Sequence, residues 1–233
     1  AEALRDVDPE VRHAATVAVG QIGAEGEVPV PLIAEALTDE SPNVRHAAAE
    51  ALGRMGGRAR AALPALVNAL EDEDKNVCHS AIEAIGEIGE EAGTAVSILI
   101  PLLKDEDPLT RLHVACALES IGRAAAEAVP ALKEALHDED GYVRLFAAEA
   151  LRTIASDTER DISIAIKALT DEFCDVRRAA AVRLYRIGPE AARAVDALCN
   201  ALNDEFDFVQ KKAIRALGAI GPEAYAAVPD LRE

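Results

Sequence analysis

Apolar residues in this chain recur at the spacing of an amphipathic helix, and that spacing itself returns at a fixed interval. Over residues 43–56, NVRHAAAEALGRMG, the apolar positions Val44, Ala48, Ala51, Leu52 and Met55 fall at i, i+4, i+7, i+8 and i+11, one face of an α-helix. A shorter apolar stripe, such as ALPALVNAL over residues 62–70, precedes each such face. The interval is 33 residues: Leu4, Leu37, Leu70, Leu103, Leu136, Leu169 and Leu202 are equally spaced, and an aspartate follows each by two residues, from Asp6 to Asp204. Each period therefore predicts two helices.

The second helix of each period has start and stop signals. Asp8, Ser41, Asp74, Asp107 and Asp140 are good N-caps, and Pro9, Pro42 and Pro108 occupy the first helical position, where a missing N–H is harmless. Gly23, Gly56, Gly89, Gly122, Gly188 and Gly221 are expected to end it in a left-handed conformation, with Ala155 breaking the column. Pro31, Pro64, Pro130 and Pro229 are expected to start or kink the first helix. Residues 1–4 match the end of a first helix and 222–233 the beginning of one. The expectation is a single repeat domain over 1–233, cut mid-repeat at both ends, whose half-repeats could stack end to end.

The recurring pattern GxxAxxAVPALxxALxDEDPxVRxxAAxALGxIG resembles the HEAT-repeat family, and within it the HEAT-like repeats of phycobilisome lyases and bacterial scaffold proteins. The resemblance covers the whole chain. It implies an all-α, right-handed α-solenoid of about seven 33-residue two-helix repeats with the second helices lining the concave side. It also implies that a recurring arginine (Arg12, Arg45, Arg111, Arg144 and Arg177, replaced by Cys78 and Gln210) meets the aspartate of its own or a neighbouring repeat in an internal ladder. The family serves many roles, so activity has to be read from individual positions.

Charge narrows those roles. The formal charge is −18, which repels nucleic-acid phosphates and anionic membrane surfaces. No apolar run approaches the ~20 residues that span a bilayer. Cys78, Cys116, Cys174 and Cys199 show neither a CxxC spacing nor a pattern with the histidines, and read as reduced thiols of a cytoplasmic protein.

Candidate chemistry is sparse. His13, His46 and His79 form a column resembling the metal-ligand positions of deoxyhypusine hydroxylase, a di-iron HEAT-repeat enzyme, but the glutamate that should follow each is replaced by Ala14, Ala47 and Ser80. No metal, cofactor or catalytic set is expected. His113 and His137 are off that register and read as surface residues.

Advancing about 100° per residue from the core direction, the positions farthest from the core are His46, Glu50 and Gly53 in the second repeat. The equivalent triplets run from His13/Val17/Gly20 and His79/Glu83/Gly86, through Leu112/Cys116/Glu119 and Leu145/Glu149/Arg152, to Arg178/Val182/Tyr185 and Lys211/Arg215/Gly218. Residues 1–116 carry 9 basic and 21 acidic side chains against 15 and 21 in residues 117–233, and all the aromatic residues lie at or beyond Tyr142. This grading makes a non-enzymatic protein- or peptide-binding scaffold the leading expectation. Leu112 and Leu145 would supply an apolar floor, Arg178, Tyr185, Lys211 and Arg215 would receive acidic groups, and Arg152 would belong to the same protein-binding face. A bilin lyase or chaperone-like subunit is the alternative the family resemblance implies. A HEAT-like DNA glycosylase is disfavoured by the absence of Trp and the acidic first half. A consensus-derived repeat is a further alternative, against which Cys78, Leu109, Phe146 and Ala155 read as natural drift.

Overall fold

The computed structural model describes residues 2–25, 30–155 and 158–225, and among them every regular element is helical. In chain order the first helices are α1 (Pro9–Glu25), α2 (Val30–Glu35), α3 (Pro42–Met55), α4 (Leu63–Asn68), α5 (Lys75–Ile88), α6 (Val96–Leu102) and α7 (Pro108–Ile121). There follow α8 (Val129–Ala135), α9 (Gly141–Ala155), α10 (Thr158–Ala168), α11 (Cys174–Ile187), α12 (Val195–Ala201), α13 (Asp207–Ile220) and α14 (Pro222–Tyr225). Long and short helices alternate with the 33-residue period, an α-solenoid of helical hairpins. No helix among the described residues is long and apolar enough to cross a membrane.

The first helix of a period is shorter than the sequence pattern suggests, because a seven-residue 3₁₀ segment precedes it. Such segments span Gly56–Ala62, Gly89–Ala95, Gly122–Ala128 and Gly188–Ala194. Each begins at a register glycine. Gly122, for example, adopts φ 69°, ψ −136°, positive in φ as expected but far in ψ from the left-handed helix, in a region essentially closed to other residues. Two positions depart from the expected stop: α1 runs through Gly23 to Glu25, and α9 runs through Ala155. The following α10 lacks a 3₁₀ lead and is a continuous 11-residue helix. Pro31, Pro64 and Pro130 are each the second residue of α2, α4 and α8, so they start these helices without kinking them. Pro229 and the half-repeat over 226–233 lie outside the described residues.

The chain divides into two compact units, Ala1–Ala135 with Glu149–Ala155, and Leu136–Ala148 with Ser156–Glu233. In the first, Ile33, Leu52, Leu66, Ile82, Ile85, Leu99, Leu118 and Leu132 are wholly buried between long and short helices. In the second, Ile162, Leu169, Leu184, Leu198, Leu217 and Ile220 form the core with the alanines between them. Small residues let the long helices approach closely: a Cβ on Gly86 of α5 would stand 2.8 Å from Ala117 Cα of α7.

Gly122 separates backbone strain from crowding, because a Cβ there would meet nothing within 4 Å. Gly122→Ala should therefore lower stability by about 1–2 kcal/mol through its dihedral angles alone, read as a drop in the urea midpoint at unchanged m-value.

Candidate functional site

The recurring arginine and aspartate meet across repeats. Arg45 Nε and Nη2 donate to Asp72 Oδ2 and Oδ1 at 2.7 and 2.8 Å, a two-pronged contact from α3 to the turn before α5. Arg45 Nη1 donates to the Asp39 and Glu40 carbonyls of its own turn at 2.9 and 3.3 Å. The geometry recurs as Arg12–Asp39, Arg144–Asp171 and Arg177–Asp204. The partner is always 27 residues ahead, in the following repeat. These arginines are buried structural clamps, and their hydrogen bonds hold the Asp39, Asp72 and Asp204 carboxyls below the usual carboxylate range.

Where the arginine is missing, parts of the contact persist. Gln210 Nε2 donates to the Asp204 carbonyl at 2.6 Å, the contact an arginine makes within its own repeat. Cys78 Sγ reaches the Leu70 carbonyl, while Lys75 approaches Asp105 at 3.7 Å.

The outward strip is narrower than the helical projection predicts. Gly20, Gly53 and Gly86 are not on it: they are buried against Ala51, Ala84 and Ala117 of the next long helix. A projection from one core direction ignores the parallel neighbours that also cover a helix's flanks. His46 and Glu50 remain outward at about 40% exposure, whereas the His79 side chain is only 14% exposed.

In the first unit the histidines are more closely linked than their column suggests. His113, expected on the surface, stacks on His79 with ring centroids 4.8 Å apart. His79 Nε2 lies 3.0 Å from Asp107 Oδ2 at the start of α7, and His113 Nδ1 lies 2.9 Å from Glu83 Oε1 on α5. The two helices thus exchange imidazole–carboxylate contacts. Burial holds the His113 pKa below its ordinary value; Glu83 opposes that shift and His79 adds to it. His46 Nδ1 is similarly 2.7 Å from Ser80 Oγ. These pairs are 34 residues apart, one step off the 33-residue column, a diagonal that a search for vertical columns overlooks.

Farther along the same unit, Arg152 Nε donates to Glu149 Oε2 at 2.8 Å, and Nη2 lies 3.5 Å from Glu119 Oε1. Arg152, expected on the protein-binding face, is thus already committed to two carboxylates. Burial, reinforced by Glu149, raises the Glu119 pKa. Burial also pushes the Cys116 thiol to about 11, so at neutral pH it is protonated and a poor nucleophile. Among the described residues, no group of three or more His, Cys, Asp or Glu side chains is arranged to hold a metal ion. Leu112 is half-buried on α7.

The second unit holds the remaining predicted residues. Leu145 is half-buried on α9, while Tyr185 is 51% exposed on α11. Arg178 donates to Asp175 Oδ1 at 3.0 Å, and Lys211 lies 3.8 Å from Asp207, both contacts within one helix turn. Arg215 is exposed and has no ion pair among the described residues.

A family model described as HEAT repeats matches residues 1–73, 63–152, 96–182 and 162–233, which together span the chain. Among solved structures, an engineered protein is 27% identical with a TM-score of 0.61, over 98% of this chain and 70% of that one. The complex of CpcE and CpcF of phycocyanin lyase from Nostoc sp. PCC7120 is 23% identical with a TM-score of 0.58, over 97% and 90%. Computationally designed armadillo repeat proteins for modular peptide recognition are 22% identical with a TM-score of 0.58, over 82% and 99%. The last two similarities concern the fold alone. No curated protein matches the chain.

Two measurements test the electrostatics. The clamp aspartates have folded pKa values below their unfolded value of about 3.9. Their contribution is present above that value and is lost as pH falls through the folded pKa, so the urea midpoint should fall between pH 5 and pH 2, and Asp72→Asn should flatten that fall. For His113, an NMR titration should give a midpoint below 6.5, and Glu83→Gln should lower it further by removing the carboxylate that favours the charged ring. A midpoint unchanged by that substitution would contradict the reciprocal pairing.

Proposed function

Because the chain belongs to the HEAT-repeat family, we propose that it is a non-enzymatic interaction scaffold whose second unit binds a peptide or protein segment bearing acidic groups. The observation that carries this reading is the outward strip of α11 and α13. Arg178, Tyr185, Lys211 and Arg215 stand there partly or largely exposed, and the cations have either a local carboxylate within one helix turn or no ion pair among the described residues. A ligand carboxylate can replace such local partners at little cost, because exposed pairs contribute only about 0–1 kcal/mol.

Tyr185, exposed on the same helix as Arg178, adds a rigid, amphipathic anchor. Leu145 supplies apolar surface on α9. Leu112 and Arg152 belong to the first unit and are not part of this strip, and Arg152 is in addition held by Glu119 and Glu149. The protonated Cys116 thiol and the clamp role of the buried arginines favour recognition over catalysis. Cys78, Cys116, Cys174 and Cys199 are free thiols, which fits a reducing, cytoplasmic setting.

The test is fluorescence anisotropy with a panel of labelled, extended, Glu-rich peptides. Replacing Arg178, Tyr185 and Arg215 together by Ala should weaken binding at least ~10-fold, about 1.4 kcal/mol, with the melting temperature unchanged because none of the three is a core residue. Equal binding by the triple variant would exclude the strip.

A further inference from the structure

A second surface of the same unit has the opposite character. It lies at the turns where the long helices begin, next to the N-terminal end of the strip just described, where Asp207 stands 3.8 Å from Lys211. Tyr142 is the second residue of α9, Phe173 and Phe206 immediately precede α11 and α13, and Phe208 is the second residue of α13. The rings form two pairs. Tyr142 and Phe173 meet edge to face with centroids 4.8 Å apart, and Phe206 and Phe208 lie 5.4 Å apart. Tyr142 is 47% exposed and the Phe206–Phe208 pair 38% each, which is unusual for rings that could otherwise be buried.

Two features distinguish the turns that carry the rings. In several other repeats the residue before the long helix is a capping aspartate: Asp74 accepts from Asn76 N, Asp107 from Leu109 N and Asp140 from Tyr142 N, whereas Ser41 before α3 provides no side-chain cap. Phe173 and Phe206 occupy that position and provide no side-chain cap. Two consecutive repeats therefore give up a stabilising hydrogen bond and present an aromatic ring in its place. Room is also made for the first pair, since a Cβ on Gly141 would collide with the Phe173 ring.

The surroundings specify the ligand's charge. Glu172 precedes Phe173, Glu205 precedes Phe206, and Asp207 separates Phe206 from Phe208; their side chains are 73–83% exposed. The Arg177 guanidinium lies 5.7 Å from the Phe206 ring centroid, so a ring on this edge already takes a cation within cation–π range. Aromatic faces beside carboxylates suit arginine or lysine and repel acidic segments.

Spacing specifies the ligand's form. Tyr142 and Phe173 bridge the starts of α9 and α11 while Phe206 and Phe208 sit at the start of α13, so the rings span three successive turns, and neighbouring packed helices are separated by roughly 8–10 Å. A polyproline II segment advances about 9 Å every three residues, at three residues per turn. We propose that this edge docks an extended, proline-rich segment carrying a cationic residue at every third position, independently of the acidic-peptide strip.

The probe is a fluorescein-labelled twelve-residue peptide of four Arg-Pro-Pro triplets, with a Glu-Pro-Pro peptide as its counterpart, measured by anisotropy on the full chain. The Arg-Pro-Pro peptide should bind and the Glu-Pro-Pro peptide should not compete. The double variant Phe173→Asp, Phe206→Asp restores the capping residue and adds negative charge. It should raise the melting temperature by about 3 °C yet weaken binding at least ~10-fold, which neither unfolding nor charge attraction can explain. Tyr142→Ala with Phe208→Ala should weaken binding comparably.

Equal binding by the Asp variant would overturn the proposal, as would equal binding of the acidic peptide. Sedimentation showing that the edge instead pairs two copies of the chain, through contacts that the Asp variant dissolves, would overturn it too. Loss of the Glu-rich peptides on changing Arg178, Tyr185 and Arg215 leaves this result untouched, so the two readings fail separately.

Discussion

The bidentate contact from an arginine on one long helix to the aspartate of the next turn governs what the other positions can do. Arg45 is held by Asp72 ahead of it and by the carbonyls of Asp39 and Glu40 behind it, so one side chain joins two turns. Asp72 has a further role, because its Oδ1 also accepts the Asp74 N–H at 2.9 Å and shapes the turn that starts α5. A planar guanidinium suits this task better than an ammonium, since it can satisfy both oxygens while donating to carbonyls from its remaining nitrogen. With turns fixed in this way, the long helices pack closely enough for glycine and alanine to be in contact, as Gly86 and Ala117 are.

The departures from the clamp show which half matters locally. Gln210 keeps the bond to the Asp204 carbonyl, and Cys78 has only a weak donor, which reaches the Leu70 carbonyl. Both long helices keep their full 14-residue length. The intra-repeat contacts and the aspartate turn are therefore enough to form a helix start, and the longer reach of arginine serves mainly to fasten it to the next repeat.

Much of this was legible in the sequence because it is periodic. A 33-residue column of leucine, aspartate and arginine predicts two helices per repeat and their buried faces, and those faces are found at Val44, Ala48, Ala51, Leu52 and Met55. What escaped prediction depends on geometry between repeats. Four register glycines are followed by a 3₁₀ segment, which a helical periodicity does not encode. The His79–His113 couple and the His46–Ser80 contact follow a 34-residue diagonal, and Gly53 is covered by a flanking helix instead of facing outward. Arg152 was identified as a ligand-facing cation from its place in a column, but Glu149 and Glu119 decide its electrostatics.

The clamp also explains where a repeat has freedom to acquire a ligand. Its aspartate holds the turn through a backbone N–H, and it does so whatever side chain follows: Phe173 N and Phe206 N donate to Asp171 and Asp204 at 2.8 and 3.0 Å, as Asp74 N does to Asp72. The cap residue's own side chain is then partly redundant. In a helix lacking such a turn, replacing the cap by phenylalanine would leave the first N–H groups dependent on water and fray the end. Here the helix still begins in register, so the position can hold an aromatic ring at the modest cost of one capping bond. The neighbouring glutamates are less free, because Glu172 and Glu205 also lie 3.5 and 3.4 Å from the clamp arginines. The edge is thus acidic for structural reasons wherever a glutamate follows the clamp aspartate, as at Glu40, Glu73, Glu172 and Glu205, and selectivity between these repeats must come from the cap position, where phenylalanine stands at 173 and 206.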